Sequence, residues 1–196
     1  MIGIVDYGLG NVKAFANIYR RLGMPHKVTR LPEELDCCDG IILPGVGAFD
    51  WAMTRLNQSG FRNHLDHLII EKKRPFLGVC VGMQILANDS EEGQLPGLGW
   101  LGGAVKIMPS ERFRGDRILP HMGWNTVSDF SCRGLFAGME DPEFYFLHSY
   151  CFVPEKSEQT LATSFYGDHF VSAVQSENVF GVQFHPEKSH GWGVQL

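Results

Sequence analysis

One cysteine of this chain stands in a setting that favours a nucleophile. Cys80 is the centre of the stretch GVCVG at 78–82, whose glycine-x-nucleophile-x-glycine form is typical of a strand that turns sharply into a helix. The glycines let the backbone pass where a Cβ would clash, and such a turn costs about 1–3 kcal/mol of strain. The turn presents the sulfur at the carboxyl edge of a sheet, where the N-terminus of the following helix favours the thiolate. We therefore predict that Cys80 is a nucleophile and that the backbone N–H of Val81 faces a developing oxyanion.

A histidine at the end of a predicted strand can supply the proton that the leaving group of such an attack needs. His185 closes the apolar run at 179–184 and precedes Pro186, which disfavours helical geometry and predicts an extended corner. Because residues two apart in an extended chain point the same way, Glu187 can accept from one ring nitrogen while the other nitrogen faces the sulfur. Together with Cys80, this corner predicts a catalytic triad of cysteine, histidine and glutamate.

Two glycine-containing loops have contrasting interpretations. PGVG at 44–47 follows a buried-strand run, and its glycines would let a peptide plane rotate so that Val46 or Gly47 donates to an oxyanion. Without Cys80 the same loop would be a plain tight turn. GLG at 8–10 begins like a dinucleotide-binding motif, but Lys13 occupies the place of the third glycine. We expect no nucleotide and no other cofactor.

The other cysteines and histidines receive structural interpretations. His64 and His67 have the spacing of a metal site on a helix, but no third ligand is evident, so no metal is predicted. His148 is expected to be a structural or substrate-rim residue rather than a second base. Four cysteines have no setting like that of Cys80 and are expected to be structural: Cys37, Cys38, Cys132 and Cys151.

The elements that must position these residues alternate between strand and helix up to about residue 88. Short apolar runs predict strands at 2–5, 26–31, 40–43 and 75–79. Apolar residues at helical spacing predict helices at 12–22, 48–57, 61–72 and 81–87. Successive units of this kind are typical of an α/β fold with a mixed, mostly parallel sheet flanked by helices.

The second half of the chain changes character. Residues 97–184 carry mainly strand patterns, which we expect to form the antiparallel extension and far edge of the same sheet. Loops are predicted at 88–96 and 109–117. No internal repeat, low-complexity tract or linker interrupts the 196 residues, so we expect one domain over residues 1–196.

Composition narrows the classes of function. With 17 Lys+Arg against 22 Asp+Glu, the formal net charge is −5, which leaves no cationic surplus for a nucleic-acid backbone. No apolar run approaches the ~18 residues of a membrane span, and the first residues lack the cationic start of a signal peptide. The five cysteines are odd in number and include no Cys-x-x-Cys pair. We expect a reduced, cytoplasmic protein without nucleic-acid or membrane partners.

Seven segments give the chain a resemblance to a known family. PGVGAF at 44–49, GVCVGMQ at 78–84 and FHPE at 184–187 together resemble the triad-type class I glutamine amidotransferases. Four segments more narrowly resemble the glutaminase subunits of imidazole glycerol phosphate synthase: DYGLGN at 6–11, PHMGWN at 120–125, FYFLHSY at 144–150 and FGVQFHPEKS at 180–189. The resemblance runs over nearly the whole chain.

The resemblance implies a flavodoxin-like fold and hydrolysis of glutamine to glutamate and ammonia. Cys80 would attack the side-chain amide, His185 would protonate the departing ammonia and later activate water, and Glu187 would orient His185. N–H groups of Val81 and of the PGVG loop would hold the oxyanion. The positions that match residues gripping glutamine are Gly47, Gln84, His148, Ser149 and Tyr150.

The resemblance also implies a partner. A separate (β/α)8 cyclase subunit would form a heterodimer with this chain, receive the ammonia, and make imidazole glycerol phosphate and an aminoimidazole carboxamide ribotide in histidine biosynthesis. The positions that match residues facing this partner are Asn11, His121, Trp124 and Asn125. We hypothesise that partner binding rotates the PGVG peptide and completes the oxyanion hole.

Three alternatives remain at this point. HGWG at 190–193 resembles the ending of related subunits that deliver ammonia to a sugar in surface polysaccharide synthesis, so the acceptor could be a sugar. A cysteine α/β protein of the DJ-1 kind shares the elbow but not the His-Pro-Glu corner. A flavodoxin-like binding module would need no nucleophile, and its activity would survive Cys80→Ala.

Overall fold

The computed structural model of the protein describes residues 1–113, 118–130 and 134–196. Its strands are β1 (Ile2–Val5), β2 (His26–Thr29), β3 (Gly40–Gly45), β4 (Phe76–Cys80), β5 (Asp89–Ser90), β6 (Gly103–Ile107), β7 (His121–Thr126), β8 (Glu143–His148), β9 (Tyr150–Pro154), β10 (Thr160–Phe165), β11 (His169–Ser176) and β12 (Val179–Val182). Its α-helices are α1 (Val12–Arg21), α2 (Phe49–Gln58), α3 (Phe61–Leu65), α4 (Val81–Gln84) and α5 (His190–Gln195).

Seven strands form the central sheet, in the order β10-β11-β12-β4-β3-β1-β2. The five strands from β12 to β2 run parallel, and β11 and β10 add an antiparallel edge. The central strands β3 and β4 are almost wholly buried, as expected where helices cover both faces of a parallel sheet. The α/β fold predicted from the sequence, with its mixed and mostly parallel sheet flanked by helices, is confirmed.

The prediction that residues 97–184 all extend this sheet is wrong. Of the strands in this half, only β10, β11 and β12 join the central sheet. Strands β5, β6 and β9 form a separate three-stranded sheet, and β7 and β8 form a two-stranded one. The run FYFLHSYCFV is two strands that separate at Ser149 and pair in different sheets. Alternating apolar residues indicate a buried face but leave open which strand lies alongside.

Several predicted boundaries also shift. The predicted loop at 88–96 contains the short strand β5, and the predicted loop at 109–117 begins with a 3-10 turn at Ser110–Arg112. Residues 114–117 of that loop lie outside the described residues. The predicted helix at 61–72 is the α-helix α3 continued by a π-helical turn at Asp66–Glu71.

The helix after Cys80 is shorter than predicted. The sequence pattern extends to residue 87, but α4 ends at Gln84. The backbone carbonyls of Ile85, Leu86 and Ala87 accept hydrogen bonds from N–H groups of the segment 98–101 instead. Because these carbonyls are the acceptors that a continuing helix would need, α4 ends after four residues and has a correspondingly small dipole.

Aromatic side chains fill the core beneath the end of β12. Phe144 and Phe184 stack with their ring centroids 3.9 Å apart, Phe136 meets both rings edge-on, and Phe146 meets Phe184 edge-on. All four rings are fully buried, which anchors the chain immediately before His185. No helix within the described residues is long and apolar enough to cross a membrane.

Candidate active site

Cys80 lies at a sharp turn between β4 and α4. Its φ of 55° and ψ of −114° place a residue with a Cβ in a conformation that such residues rarely adopt. The turn requires glycine on both sides: a Cβ on Gly78 would lie 2.4 Å from the Gly82 carbonyl oxygen, and a Cβ on Gly82 would lie 2.0 Å from the Leu43 carbonyl oxygen. The GVCVG stretch therefore forms the sharp strand-to-helix elbow that its sequence predicts, with Cys80 at its apex.

His185 and Glu187 form a buried pair beside this elbow. The His185 Nδ1 atom lies 2.8 Å from Glu187 Oε1, and the two side chains are only 3% and 1% exposed. The contact does not arise from an extended corner as predicted, because Glu187 lies within a 3-10 turn at Pro186–Lys188. Asn11, at the start of α1, donates from Nδ2 to the same Glu187 oxygen at 2.7 Å.

The electrostatic setting of His185 favours its protonated form. Burial alone would lower its pKa, but the hydrogen bonds with Cys80 and Glu187 and the charges of these two groups outweigh burial and raise the pKa to about 9. Since Glu187 engages Nδ1, the other ring nitrogen is the one available to Cys80. At neutral pH this arrangement holds a proton donor next to the sulfur.

The sulfur of Cys80 has two further polar neighbours. The Gln183 side-chain Nε2 lies 3.8 Å from Sγ, and the Leu147 carbonyl oxygen lies 4.0 Å from it. Tyr7 is also close enough to interact: burial, together with the charge of Cys80, raises the pKa of its phenol. Gln183 was not predicted from the sequence, although its position two residues before His185 is the same spacing that relates His185 to Glu187.

A cavity of about 180 Å³ opens beside Cys80 and His185. Its lining includes every residue predicted to bind the oxyanion or the substrate: Val46, Gly47, Val81, Gln84, His148, Ser149 and Tyr150. Three lining residues were not predicted, namely Glu92, Leu147 and Lys188. Glu92 accepts from the backbone N–H of Phe49 at 2.8 Å, a long-range contact of a loop residue that no local pattern could predict.

The side chain of Gln84 is oriented by the protein itself. Its Nε2 donates to the Tyr150 carbonyl oxygen at 3.0 Å and to Gln183 Oε1 at 3.1 Å. Both amide hydrogens are therefore committed within the protein. A role for Gln84 in gripping a substrate would have to use its carbonyl oxygen rather than its donors.

The residues predicted to face a partner lie at different depths. Trp124 is 47% exposed and stacks on His190, with ring centroids 5.5 Å apart. Asn125 donates to the Phe165 carbonyl oxygen at 3.0 Å. His121 is only 2% exposed, so its side chain is buried in the isolated chain and its contact with a partner stays a prediction. The strand β7 that carries it explains this, because successive side chains point to opposite faces of a strand.

The described residues gather no group of three or more histidine, cysteine, aspartate or glutamate side chains that could hold a metal ion. His64 contacts Asp36 at 2.8 Å, and His67 contacts Glu71 at 2.7 Å, so the two histidines face different carboxylates. Cys38 and Cys151 are buried and Cys37 is exposed, all as free thiols. Cys132 lies outside the described residues.

Comparison with known proteins gives matches over nearly the full chain. Residues 3–194 match the family model described as glutamine amidotransferase class-I. The chain is 54% identical to the imidazole glycerol phosphate synthase subunit HisH of Bdellovibrio bacteriovorus and 50% identical to that of Leptospira borgpetersenii, covering 100% of this chain and 97% of each relative.

Solved structures share the fold. A crystal structure of a glutamine amidotransferase superposes with a TM-score of 0.75 at 20% identity, over 98% of this chain and 94% of that one. The structure of PurLQS from Thermotoga maritima gives a TM-score of 0.71 at 20% identity, over 99% of this chain and 93% of that one. At these identities, the likeness is one of architecture.

Proposed function

Because this chain belongs to the class I glutamine amidotransferase family, we propose that it is the glutaminase subunit of an imidazole glycerol phosphate synthase in histidine biosynthesis. It hydrolyses glutamine to glutamate and ammonia. The observation that carries the proposal is the buried His185–Glu187 pair, which holds a protonated imidazole against the sulfur of Cys80. A protonated imidazole beside a thiolate is what cleavage of an amide requires.

Proton transfer in the first half of the reaction follows from this geometry. The Cys80 thiolate attacks the side-chain carbonyl carbon of glutamine, and the carbonyl oxygen becomes an oxyanion. His185 then donates its ring proton to the departing nitrogen, which leaves as ammonia, and a thioester to Cys80 remains. Glu187 keeps the imidazole in place through its bond to Nδ1.

The second half regenerates the site. The now neutral His185 takes a proton from water, and the hydroxide that forms attacks the thioester carbonyl. The carbon–sulfur bond breaks, glutamate leaves, and Cys80 returns to a thiolate beside a protonated His185. We assign the oxyanion to the N–H of Val81 and to a donor at Val46 or Gly47, because all three residues line the cavity.

The partner in this proposal is a (β/α)8 cyclase subunit of the HisF type, which receives the ammonia within a heterodimer. Ammonia released into neutral water would be protonated and would lose its nucleophilic lone pair, so an enclosed route between the two sites preserves it. Exposed Trp124 and its neighbours on β7 form the candidate docking face. A cytoplasmic location is consistent with the free thiols of the described cysteines.

The test is a coupled assay with the purified cyclase subunit. We expect weak glutamine hydrolysis by the isolated chain, strong hydrolysis in the complex, and formation of imidazole glycerol phosphate from the phosphoribulosyl substrate. Cys80→Ala should abolish hydrolysis, and Cys37→Ala, at an exposed cysteine, is the matched control. Hydrolysis that survives Cys80→Ala would overturn the proposal. Ammonia transfer to a sugar instead of the phosphoribulosyl substrate would overturn the assigned acceptor.

A further inference from the structure

We propose that Gln183 is a further catalytic residue of this site, whose side-chain amide donates a hydrogen bond to the sulfur of Cys80 and stabilises the thiolate. The inference deepens the proposed function and rests on Cys80 being the nucleophile. Gln183 gives the sulfur a second hydrogen-bond donor besides His185. Unlike the protonated imidazole, the amide carries no net charge and transfers no proton.

The sheet brings the two residues together. Strands β12 and β4 are parallel neighbours, and Val182 lies opposite Val79. The next residue of each strand is therefore Gln183 on one side and Cys80 on the other. Gln183 is fully buried, and its Nε2 lies 3.8 Å from Cys80 Sγ. The contact therefore joins the last residue of β4 to the residue that directly follows β12.

The orientation of the Gln183 amide follows from a chain of hydrogen bonds. It starts at the Tyr150 backbone carbonyl, which can only accept, so the group of Gln84 that faces it must be the Nε2 donor. The same Nε2 donates to Gln183, which must present its oxygen in return. The Gln183 nitrogen is then left to point at the sulfur. Reversing either amide would place two acceptors or two donors against each other.

Burial gives this hydrogen bond its effect. A thiolate removed from water loses its hydration and must be compensated by donors in the protein. In such surroundings a hydrogen bond to a charged group is stronger than one in water. His185 gives up its proton during each turnover, whereas Gln183 keeps its donor throughout. Gln183 therefore stabilises the Cys80 thiolate both before it attacks glutamine and after the thioester is hydrolysed.

The decisive measurement is the rate of Cys80 alkylation by iodoacetamide in the isolated chain, followed as a function of pH. The titratable groups around the sulfur are His185, Tyr7 and, in the lining of the same cavity, Glu92, His148 and Lys188; all of them stay the same in all variants. Gln183→Leu removes the amide at similar size, and we expect alkylation at pH 7 to slow about tenfold, with the pH midpoint moving up by about one unit. Gln183→Glu puts an acceptor and a negative charge at the same place and should move the midpoint further in the same direction.

The matched control is Gln175→Leu on β11, where the amide donates only to a backbone carbonyl away from the site. It should leave both the alkylation profile and glutamine hydrolysis unchanged. Retention of the wild-type alkylation profile in a folded Gln183→Leu variant, judged by near-ultraviolet circular dichroism, would overturn the proposal.

A second measurement uses the wild-type chain and therefore does not depend on the variants folding. In the wild-type chain, the side-chain amide resonances of Gln183 should titrate with the same midpoint as alkylation and should stop titrating once Cys80 is alkylated. An amide that ignores the state of Cys80 would overturn the proposal. Neither measurement needs glutamine, so a chain that passes both but hydrolyses no glutamine even with the cyclase bound would overturn the proposed function and not the hydrogen bond.

Discussion

His121 and His148 share a hydrogen bond in the interior, with His121 Nδ1 lying 3.0 Å from His148 Nε2. The tautomers are fixed, because His148 Nδ1 must donate to the Tyr150 carbonyl oxygen at 2.9 Å and its Nε2 is then an acceptor. Burial lowers the pKa of His121 to about 4 and that of His148 to about 3. The pair links strand β7 to the segment that lines the cavity, and it requires a neutral His148, because a protonated His148 has no ring nitrogen left to accept from His121.

This pair predicts loss of stability in mild acid. Each folded-state pKa lies below the ordinary value of 6.5, so the unfolded chain takes up protons first and stability falls as pH drops from about 6.5 toward 4. For His148 alone we expect about 2 kcal/mol of loss between pH 7 and pH 5. Urea unfolding at the two pH values measures it. His148→Gln should reduce the loss by that amount, whereas His169→Gln, at an exposed histidine, should not.

The raised pKa of His185, about 9, predicts the alkaline limit of glutamine hydrolysis. A general acid works only while protonated, so kcat/KM should fall as pH rises through about 9. Glu187→Gln removes a group that raises this pKa, and the limit should move to lower pH. The pH profiles of the two enzymes, measured with the cyclase bound, provide the comparison. A profile that does not move with Glu187→Gln would mean that another group sets the limit.

The same group contributes to stability with the opposite sign to the buried histidine pair. Because the folded-state pKa of His185 lies above the ordinary 6.5, its contribution is complete below about 6.5 and is lost as pH rises through about 9. Unfolding measured from pH 7 to pH 10 should show this loss in the wild type. Its persistence in His185→Asn would contradict the assignment.

Asn11 was assigned to the partner interface from its sequence match, but its contact with Glu187 predicts that it also affects catalysis. Its Nδ2 donates to Glu187 Oε1, the same oxygen that holds His185. Asn11→Asp places one carboxylate against another, and we expect kcat to fall by about tenfold or more with little change in KM. Steady-state kinetics of the complex measures this. Asn17→Asp, on the same helix but outside the site, is the control.

The glycine after the elbow predicts a large effect of one methyl group. A Cβ on Gly82 would lie 2.0 Å from the Leu43 carbonyl oxygen, and its nearest neighbours are all backbone atoms of β3, which cannot move aside as a flexible side chain could. Gly82→Ala should destabilise the protein by about 3 kcal/mol or more, seen as a lowered Tm. Gly191→Ala on α5 has no atom within 4 Å of its Cβ and should leave Tm nearly unchanged.

Local patterns predicted the elbow and the strands that lead to it. The apolar runs gave β1, β3 and β4 within one or two residues, because buried parallel strands carry a continuous apolar sequence. The contact of His185 with Glu187 was also predicted, although through an extended corner rather than the 3-10 turn that forms it. Both predictions needed only neighbours in sequence.

The features that could not be predicted from the sequence depend on contacts between residues far apart along the chain. The path from Tyr150 through Gln84 to Gln183 joins residues that are 66 and 99 positions apart. The burial of His121 depends on rings from three other strands or loops, including Phe146, Tyr166 and Phe170. The division of the second half into three sheets likewise depends on pairing, which alternation of apolar residues does not specify.

The close packing around Gly82 leaves the two sides of the cavity unequal in stiffness. On the Cys80 side, a Cβ on Gly45 would lie 2.2 Å from the Gly82 nitrogen, so β3 and the elbow are locked against each other. Two residues further along, Gly47 has a φ of 88° and open space where a Cβ would be. Of these two parts of the cavity wall, the peptide at Val46 and Gly47 is therefore the one with room to rotate, as the hypothesis of activation by partner binding requires.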